Sequence, residues 1–324
     1  MLRASLHEQE IRRIIGVQGK GERVVDGVSA IGGVKDRSLY FINQKLATEV
    51  RESFVASEGC IVVALPGSSL TGGLGDCLVL EVDDPRAALA KVLGFIRDEH
   101  RVLPFVAKRS IAPGATISPL AVVDGGVEVA EGVVIEPFCM VGPDVKIGRE
   151  SILRSGVRVY PRVVMGEHVV VGSNTVIGHQ GYGFVRDEVG NKTRIPHLGG
   201  VVIGSNVEIG AMVSVPGGTI LPTVIEDHAK IDDHVHVGHN VRVAKGASLT
   251  AGVVIAGHAF IDEEAWVGIN SSIREGRRVG SYALVGMDVS IQQDLADNAI
   301  ARAPRPDVKT RPNDDHTAIG FTER

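Results

Sequence analysis

The sequence predicts a mainly β protein: a left-handed parallel β-helix of about nine hexapeptide coils, with a small α/β domain in front of it. Isoleucine, leucine, valine or methionine occupies every sixth position from 111 to 177 and again from 225 to 291. Ile203, Ile209 and Val215 continue the series in a shifted phase. A period of six fits neither the turn of an α-helix nor the alternation of a strand. It is typical of a β-helix in which three six-residue units form one triangular coil.

Residues 1–104 lack this period and predict the α/β domain. Ser5 to Glu8 form a capping-box pattern, which predicts a helix ending near Ile15. Asp84-Pro85 supplies an N-cap and a first-turn proline for an amphipathic helix over 86–97. Short apolar runs bounded by turn residues predict strands at 24–28, 38–42, 60–64 and 77–82.

The repeat domain is assigned to 105–296, and a Pro-rich, extended tail to 297–324. The spacing of the repeat breaks twice, between 177 and 203 and between 215 and 225. Insertions leave a solenoid as loops, often on its binding face. We therefore expect the functional site to lie where these loops leave the prism, since its narrow interior has little room for a ligand.

Charge and composition narrow the classes of partner. A net charge of −5 and a pI of about 6.1 argue against binding to nucleic acid or to an anionic membrane. Neither a signal-peptide core nor a long apolar run is present, so we expect a soluble, cytoplasmic protein with no transmembrane segment. Cys60, Cys77 and Cys139 show no C-x-x-C spacing and predict reduced thiols.

Histidines concentrate in the segment EDHAKIDDHVHVGHNVRV, where His239 falls near a corner of the predicted prism. Because an imidazole titrates near neutral pH, His239 is a candidate general base for an attacking amine or hydroxyl. Gly257 follows one coil later, where its amide could stabilise an oxyanion. The same spacing also suits a solvated histidine. A metal site built from His234, His236 and His239 is less favoured because no cysteine accompanies them, and none is predicted.

Two further stretches carry candidate binding residues. The first insertion holds Tyr182 and Phe184 among glycines, which suits a substrate lid and equally a plain surface loop anchored by Phe184. In the first domain, Phe41 and Asn43 could place a ring and an amide beside a nucleotide base. The alternative there is a core strand that runs into a helix cap.

Four segments carry a family resemblance: GVSAIGGVKDRSLYFINQK, GHQGYGF, IPHLGGVVIGSNVEIGA and KIDDHVHVGHNVRV. They resemble the UDP-3-O-acylglucosamine N-acyltransferases of lipid A biosynthesis, and the likeness covers most of the chain. It implies a homotrimer of left-handed β-helices with an N-terminal uridine-binding domain. It also implies transfer of a hydroxyacyl chain from acyl carrier protein to the 2-amine of a UDP-sugar, with no bound metal or redox cofactor.

The resemblance places the catalytic histidine on His239, an oxyanion donor on Gly257 and a nucleotide contact on Asn43. We expect His239 to deprotonate the sugar amine as the amine attacks the thioester, with Asp232 or Asp233 orienting the imidazole. The expected substrate-binding residues are Phe41, Asn43, His179, Gln180, Tyr182, Phe184, His236, Asn240 and His258.

Several features depart from the family pattern. Gln180 replaces an acidic residue, Leu46 replaces a tyrosine that stacks on uracil, and Gly276 replaces a second histidine. The segment 213–218 replaces I-D-R-G-A, and RAPRPDVKTRPNDD stands where the family has a long helix that helps to bind acyl carrier protein. These departures keep two other functions open. One is an acetyl-CoA-dependent N-acetyltransferase that acts on a dTDP- or UDP-linked amino deoxysugar for O-antigen or surface glycan. The other is a non-catalytic sugar-binding β-helix protein. The thioester donor is therefore expected to be either acyl carrier protein or CoA.

Overall fold

In the computed structural model, the described residues are 1–31, 33–43, 48–68, 74–99, 109–187 and 189–304. The predicted domain boundary at 104, the departure at Leu46 and the tail from 305 onward lie outside these ranges. Within the described residues, no helix is long and apolar enough to cross a membrane.

The N-terminal part is a five-stranded sheet with three helices. Its elements are β1 (Leu2–His7), α1 (Glu8–Ile15), β2 (Val24–Val28), β3 (Ser38–Ile42), α2 (Thr48–Val55), β4 (Ile61–Ala64), β5 (Leu78–Glu81) and α3 (Pro85–Glu99). The strands lie in chain order across the sheet, and only β1 runs antiparallel to its neighbour among these pairs. The four predicted strands and the helix after Asp84-Pro85 are confirmed. Asp84 caps that helix, since its Oδ1 accepts from the backbone N–H groups of Arg86 and Ala87 at 2.8 and 2.9 Å.

The start of the first helix was predicted wrongly. Ser5 lies inside β1, and the helix begins at Glu8. The side chain that caps it is Glu10, whose Oε2 accepts from the His7 N–H at 3.1 Å. Pairing with β2 outweighed the local capping pattern, because β1 buries Ala4 and Leu6 against the sheet.

The repeat region forms a triangular prism of three parallel sheets with nine, ten and nine strands. The first face has Ser110–Ile111, Glu128–Val129, Lys146–Ile147, Val163–Met165, Val201–Ile203, Thr223–Ile225, Arg242–Val243, Phe260–Ile261 and Arg278–Val279. The second face has Thr116–Ile117, Val134–Ile135, Ile152–Leu153, Val170–Val171, Glu208–Ile209, Lys230–Ile231, Ser248–Leu249, Trp266–Val267, Leu284–Val285 and Ile300–Ala301. The third face has Val122–Val123, Met140–Val141, Arg158–Val159, Val176–Ile177, Ser214–Val215, His236–Val237, Val254–Ile255, Ser272–Ile273 and Ser290–Ile291.

The period of six arises because the last residue of the short strands between the two ends of the stack points into the prism. Val237 is fully buried, whereas His236 before it faces outward and is half-buried. The corners bend through the left-handed region, where glycine and asparagine are favoured. Asn240 and His258 take this conformation, with φ values of 59° and 60°. The strand Ile300–Ala301 pairs with Leu284–Val285 and so extends the stack beyond the predicted end at 296.

The two interruptions pack together beside the N-terminal sheet. The first contains an antiparallel hairpin of Phe184–Arg186 and Lys192–Arg194. After the hairpin, Ile195 and Leu198 are buried in the same apolar cluster as α1 and α3. The second interruption joins the first through Leu198 N–H, which donates to Thr219 O at 3.0 Å. The loops therefore leave the prism at the place where the N-terminal domain meets it.

Candidate active site

A groove of about 900 Å³ opens at this junction. Its walls come from one corner of the prism, both interruptions and the N-terminal sheet. The residues that matter for its chemistry are Phe41, Asn43, His197, His239, Asn240 and His258. This is the place where the sequence predicted a site, between the inserted loops and the histidine-rich coil.

His239 stands at the corner between the strands His236–Val237 and Arg242–Val243, with its ring between two other imidazoles. The ring centroids of His197 and His258 lie 4.7 and 5.0 Å from that of His239. The Nδ1 atom of His239 lies 3.3 Å from Asn240 Oδ1. Since this oxygen only accepts, the hydrogen sits on Nδ1 and the lone pair on Nε2.

Asn240 connects the corner of His239 to the second interruption. Its Nδ2 donates to Leu221 O at 3.0 Å, which fixes the orientation of the amide. Its Oδ1 accepts from the backbone N–H and the hydroxyl of Thr219, each at 3.0 Å. The backbone N–H of Asn240 donates to Thr223 Oγ1 at 2.9 Å. Asn240 therefore holds the loop wall of the groove as well as the histidine beside it.

Gly257 lies directly against His239 on the next coil. A Cβ at Gly257 would come within 2.8 Å of both Cε1 and Nε2 of the imidazole, so only glycine leaves room for the ring. In the described part of the chain, the Gly257 N–H donates to no acceptor. The corresponding corner N–H groups of Ala251 and Lys245 are bonded by Asp232 and Glu226 side chains of the preceding coil, at 3.1 and 3.2 Å.

The corner at Gly257 stays open because Gly238 occupies the position that Asp232 and Glu226 hold elsewhere. A Cβ on Gly238 would lie 2.6 Å from the Gly257 nitrogen. The sequence therefore leaves one backbone donor unbonded beside an imidazole with a free lone pair, the pair of groups that acyl transfer uses.

His197 is a site residue that the sequence analysis missed. It is 4% exposed, and its Nδ1 lies 2.9 Å from Ile195 O. Burial, and then the nearby charge of His239, lower the pKa of His197 to about 4. The ring is therefore neutral at pH 7. The position of His197 after Pro196, inside an interruption of the repeat, was an indication of a special residue. The hydrogen-bond partner of His197 could not be identified from the sequence.

The partner of His197 is Gln180. The Gln180 Oε1 accepts from His197 N–H at 2.9 Å, and its Nε2 donates to His197 O at 3.1 Å. A carboxylate has no hydrogen to donate, so the amide suits this contact where an acid would leave the carbonyl unbonded. The structure thus places Gln180 as a clamp on the backbone of His197.

His179, His236 and His258 lie around the corner with lowered pKa values. Burial is the main cause for all three, and the neighbouring His239 contributes at His236 and His258. Only His258 reaches the groove. His179 and His236 lie on the third face, where His179 Nε2 is 2.9 Å from Ser214 Oγ.

The aromatic pair of the first interruption lies outside the groove. Tyr182 is 81% exposed, and its ring centroid lies 5.1 Å from that of Phe184. The Arg194 guanidinium lies over Phe184, at 4.6 Å from the ring centroid. Neither ring lines the groove, so this structure does not bring the two predicted lid residues to His239.

Asp232 is not brought to His239 within one chain. It lies at the preceding corner of the prism, where its Oδ2 accepts from Ala251 N–H at 3.1 Å and its Oδ1 from Asp233 N–H at 2.8 Å. The expectation that Asp232 orients the imidazole is therefore corrected for the single chain, where Asn240 makes that contact. The cause is the geometry of the prism, in which one hexad leads from one corner to the next. Across the described ranges, no cluster of three histidine, cysteine or acidic side chains could hold a metal.

Comparison with known proteins first defines the class. Residues 126–160 match the family model for the bacterial transferase hexapeptide (six repeats). A UDP-N-acetylglucosamine acyltransferase structure from Francisella novicida is 28% identical, with a TM-score of 0.51, over 57% of this chain and 68% of that one. The LpxA structure from Acinetobacter baumannii is 26% identical, with a TM-score of 0.50, over 60% and 71%. The chain is a hexapeptide-repeat protein of the acyltransferase class, and the predicted left-handed parallel β-helix is confirmed.

Sequence relatives then give the family. A UDP-3-O-acylglucosamine N-acyltransferase of Coxiella burnetii is 31% identical over 261 residues, 76% of this chain and 73% of the relative. A UDP-3-O-acylglucosamine N-acyltransferase 2 of Legionella pneumophila is 46% identical over 96 residues, and that match spans 28% of either chain. The chain belongs to the UDP-3-O-acylglucosamine N-acyltransferase family.

Proposed function

We propose that the chain is an N-acyltransferase that moves an acyl group from a thioester donor to the amine of a nucleotide-linked amino sugar. The acceptor is most like UDP-3-O-(3-hydroxyacyl)glucosamine, the substrate class in the names of its relatives. The observation that carries the proposal is the open corner, where the imidazole of His239 stands against the unbonded amide of Gly257. A base and an oxyanion donor on adjacent coils meet the needs of attack on a thioester.

In the proposed reaction, the sugar nitrogen attacks the thioester carbonyl carbon. The C–N bond forms while His239 Nε2 takes one proton from the nitrogen, and the Gly257 N–H stabilises the negative carbonyl oxygen. The C–S bond then breaks, and the proton passes from His239 to the departing sulfur. The products are an amide and a free thiol. Asn240 Oδ1 holds the Nδ1–H of the imidazole and so keeps the lone pair of Nε2 toward the reaction.

The nucleotide end of the acceptor is assigned to the N-terminal wall of the groove. Phe41 at the end of β3 and Asn43 just after it line this wall. Their ring and amide suit stacking on a base and hydrogen bonding to it. Arg86 in the first turn of α3 lines the same wall and adds a positive charge suited to a diphosphate. This arrangement supports the assignment of residues 1–104 to nucleotide-sugar binding.

The remaining parts of the proposal concern partners. We infer a homotrimer, an acyl carrier protein or CoA thioester as the donor, and a cytoplasmic enzyme that binds no metal or redox cofactor. These points rest on the resemblance of the sequence to this family, whose name supports the acyl transfer itself.

The test is a thiol-release assay with purified protein. UDP- and dTDP-linked amino sugars are each paired with a hydroxyacyl carrier protein and with acetyl-CoA. We expect turnover with the carrier protein and UDP-3-O-(3-hydroxyacyl)glucosamine. His239→Ala should lower kcat by roughly a hundredfold or more, because general-base catalysis contributes at least that much.

His228→Asn is the control, since His228 is an exposed corner histidine outside the groove, and its backbone is left-handed. Asparagine tolerates that conformation, so this variant should keep wild-type turnover. A folded His239→Ala protein with wild-type kcat would refute the role of His239. Turnover with acetyl-CoA alone would replace the proposal by acetyl transfer, and the absence of any turnover with intact sugar binding would replace it by a binding protein.

A further inference from the structure

Hydrogen bonds to its backbone and close packing around its ring fix the position of His197. Gln180 bonds both its backbone N–H and its carbonyl. The ring fits against the glycines of the first interruption, because a Cβ on Gly181 would lie 2.7 Å from Cδ2 and Nε2 of His197. A Cβ on Gly183 would lie 3.1 Å from Cε1. The glycine loop therefore leaves a slot for this imidazole.

The hydrogen on the His197 ring is fixed by its backbone partner. Nδ1 lies 2.9 Å from Ile195 O, and a carbonyl oxygen only accepts, so Nδ1 carries the hydrogen. Nε2 is then a bare lone pair at neutral pH, since the pKa of His197 is lowered to about 4. Among the described residues, no donor is bonded to Nε2, although the residue is 96% buried, as its 4% exposure shows.

Nε2 is not one of the enclosed, unpartnered side-chain atoms of the described residues, so it is open to a hydrogen that a ligand in the groove supplies. His197 lines the groove beside His239, with 4.7 Å between the ring centroids. The imidazoles of His197 and His239 therefore lie side by side in one groove. An attacking amine has two hydrogens to offer, whereas an attacking hydroxyl has only one.

We propose that His197 is a substrate-binding residue that selects an amine acceptor, its Nε2 accepting one N–H of the sugar amine while His239 removes the other proton. This inference rests on the proposed acyl transfer. The C–N bond forms and the C–S bond breaks as before. The hydrogen bonded to His197 is not transferred and remains as the N–H of the product amide. An O-acyl acceptor leaves His197 without a hydrogen when its single proton goes to His239.

The test compares His197→Phe, which keeps a flat ring and removes the acceptor, with His197→Gln, which retains an acceptor oxygen. The acceptors are UDP-3-O-(3-hydroxyacyl)glucosamine and the same sugar nucleotide with a hydroxyl in place of the amine. We expect His197→Phe to lower kcat/KM for the amine about tenfold while that for the hydroxyl changes little. His197→Gln should recover part of the preference for the amine. The matched control is His168→Asn, because His168 is an exposed corner histidine outside the groove.

An unchanged amine-to-hydroxyl ratio in a folded, active His197→Phe protein would overturn the role of His197 and leave the proposed acyl transfer standing. A wild-type protein without amine acylation would instead refute the proposed function. Should His197→Phe fail to fold, the nitrogen-15 NMR signal of His197 Nε2 decides in the His239→Ala protein. We expect that signal to move toward the protonated position when the amino acceptor is added. A signal that stays in place at saturating acceptor would overturn the proposal.

Discussion

Two neighbouring corners of the same prism, one hexad apart, differ in what faces a single backbone N–H. At Ala251 the N–H is bonded by the Asp232 carboxylate, as it is at Lys245 by Glu226. At Gly257 the facing residue is Gly238, and the N–H is left open beside His239. The backbone path is equivalent at both corners, since both belong to the same position of the hexad.

The difference shows how a structural repeat can hold a chemical site without a change of fold. At the corners of Ala251 and Lys245, a carboxylate of the preceding coil satisfies the donor and stabilises the stack. In the coil of Gly257, the same donor is available to a developing negative charge. The proposed reactive corner thus differs from the corners of Ala251 and Lys245 by the missing side chain at Gly238 and the imidazole of His239.

The largest effect on the difference between the two corners is expected for Gly257→Ala. The added methyl would lie 2.8 Å from Cε1 and Nε2 of His239, so the ring must move. Because a displacement of about 1 Å in a catalytic group can cost a hundredfold, we expect kcat to fall by about that factor. Steady-state kinetics and a thermal melt measure the two effects separately.

Ala251→Gly is the control at the ordinary corner. It changes the equivalent residue and should leave kcat unchanged while slightly lowering stability. Wild-type kcat in Gly257→Ala would show that the contact between Gly257 and His239 is irrelevant to the reaction.

A smaller effect is expected when the pH is lowered, because the histidine cluster distinguishes this corner from the others. The pKa of His197 is about 4 in the folded chain and about 6.5 when unfolded. Below pH 6.5 the unfolded state binds a proton that the folded state does not, so stability is lost as the pH falls from 6.5 toward 4. At pH 5 the His197 contribution to this loss is about 2 kcal/mol.

Urea unfolding of wild type and His197→Gln at pH 7 and pH 5 measures this contribution. The wild-type free energy of unfolding should fall more than that of the variant over this interval. Equal losses in the two proteins would contradict the buried, neutral state of His197. His179, His236 and His258 act in the same direction in both proteins, so their contributions cancel in the comparison.

The smallest effect is expected for Asp232→Ala at the ordinary corner. Loss of the bond to Ala251 N–H should lower the free energy of unfolding by about 1 kcal/mol, with kcat unchanged. Chemical denaturation and the thiol-release assay measure the two quantities. A large loss of kcat at unchanged stability would contradict this and would give Asp232 a part in the reaction.

Most of the fold was predictable because its signals are local. The six-residue period marks the interior positions, and the four strands and the Asp84 cap of the first domain follow from short patterns. The capping pattern at Ser5 gave a wrong start for the first helix because the same residues pair with β2 as strand β1. This pairing buries more apolar surface than a helix cap does. Of the site, His239 and Gly257 were predictable as neighbours because they stand one coil apart.

The sequence by itself determined the prism, its interior and the stacking of Gly257 on His239, because each depends on a fixed spacing along a regular coil. Only the tertiary structure decided that the ring of His197 lies against that of His239 and that Gln180 bonds the backbone of His197. It also decided that Asp232 belongs to another corner. The first two depend on how an irregular insertion folds back against the N-terminal domain. No period governs that path, since it is set by packing of Ile195 and Leu198 into a distant apolar core.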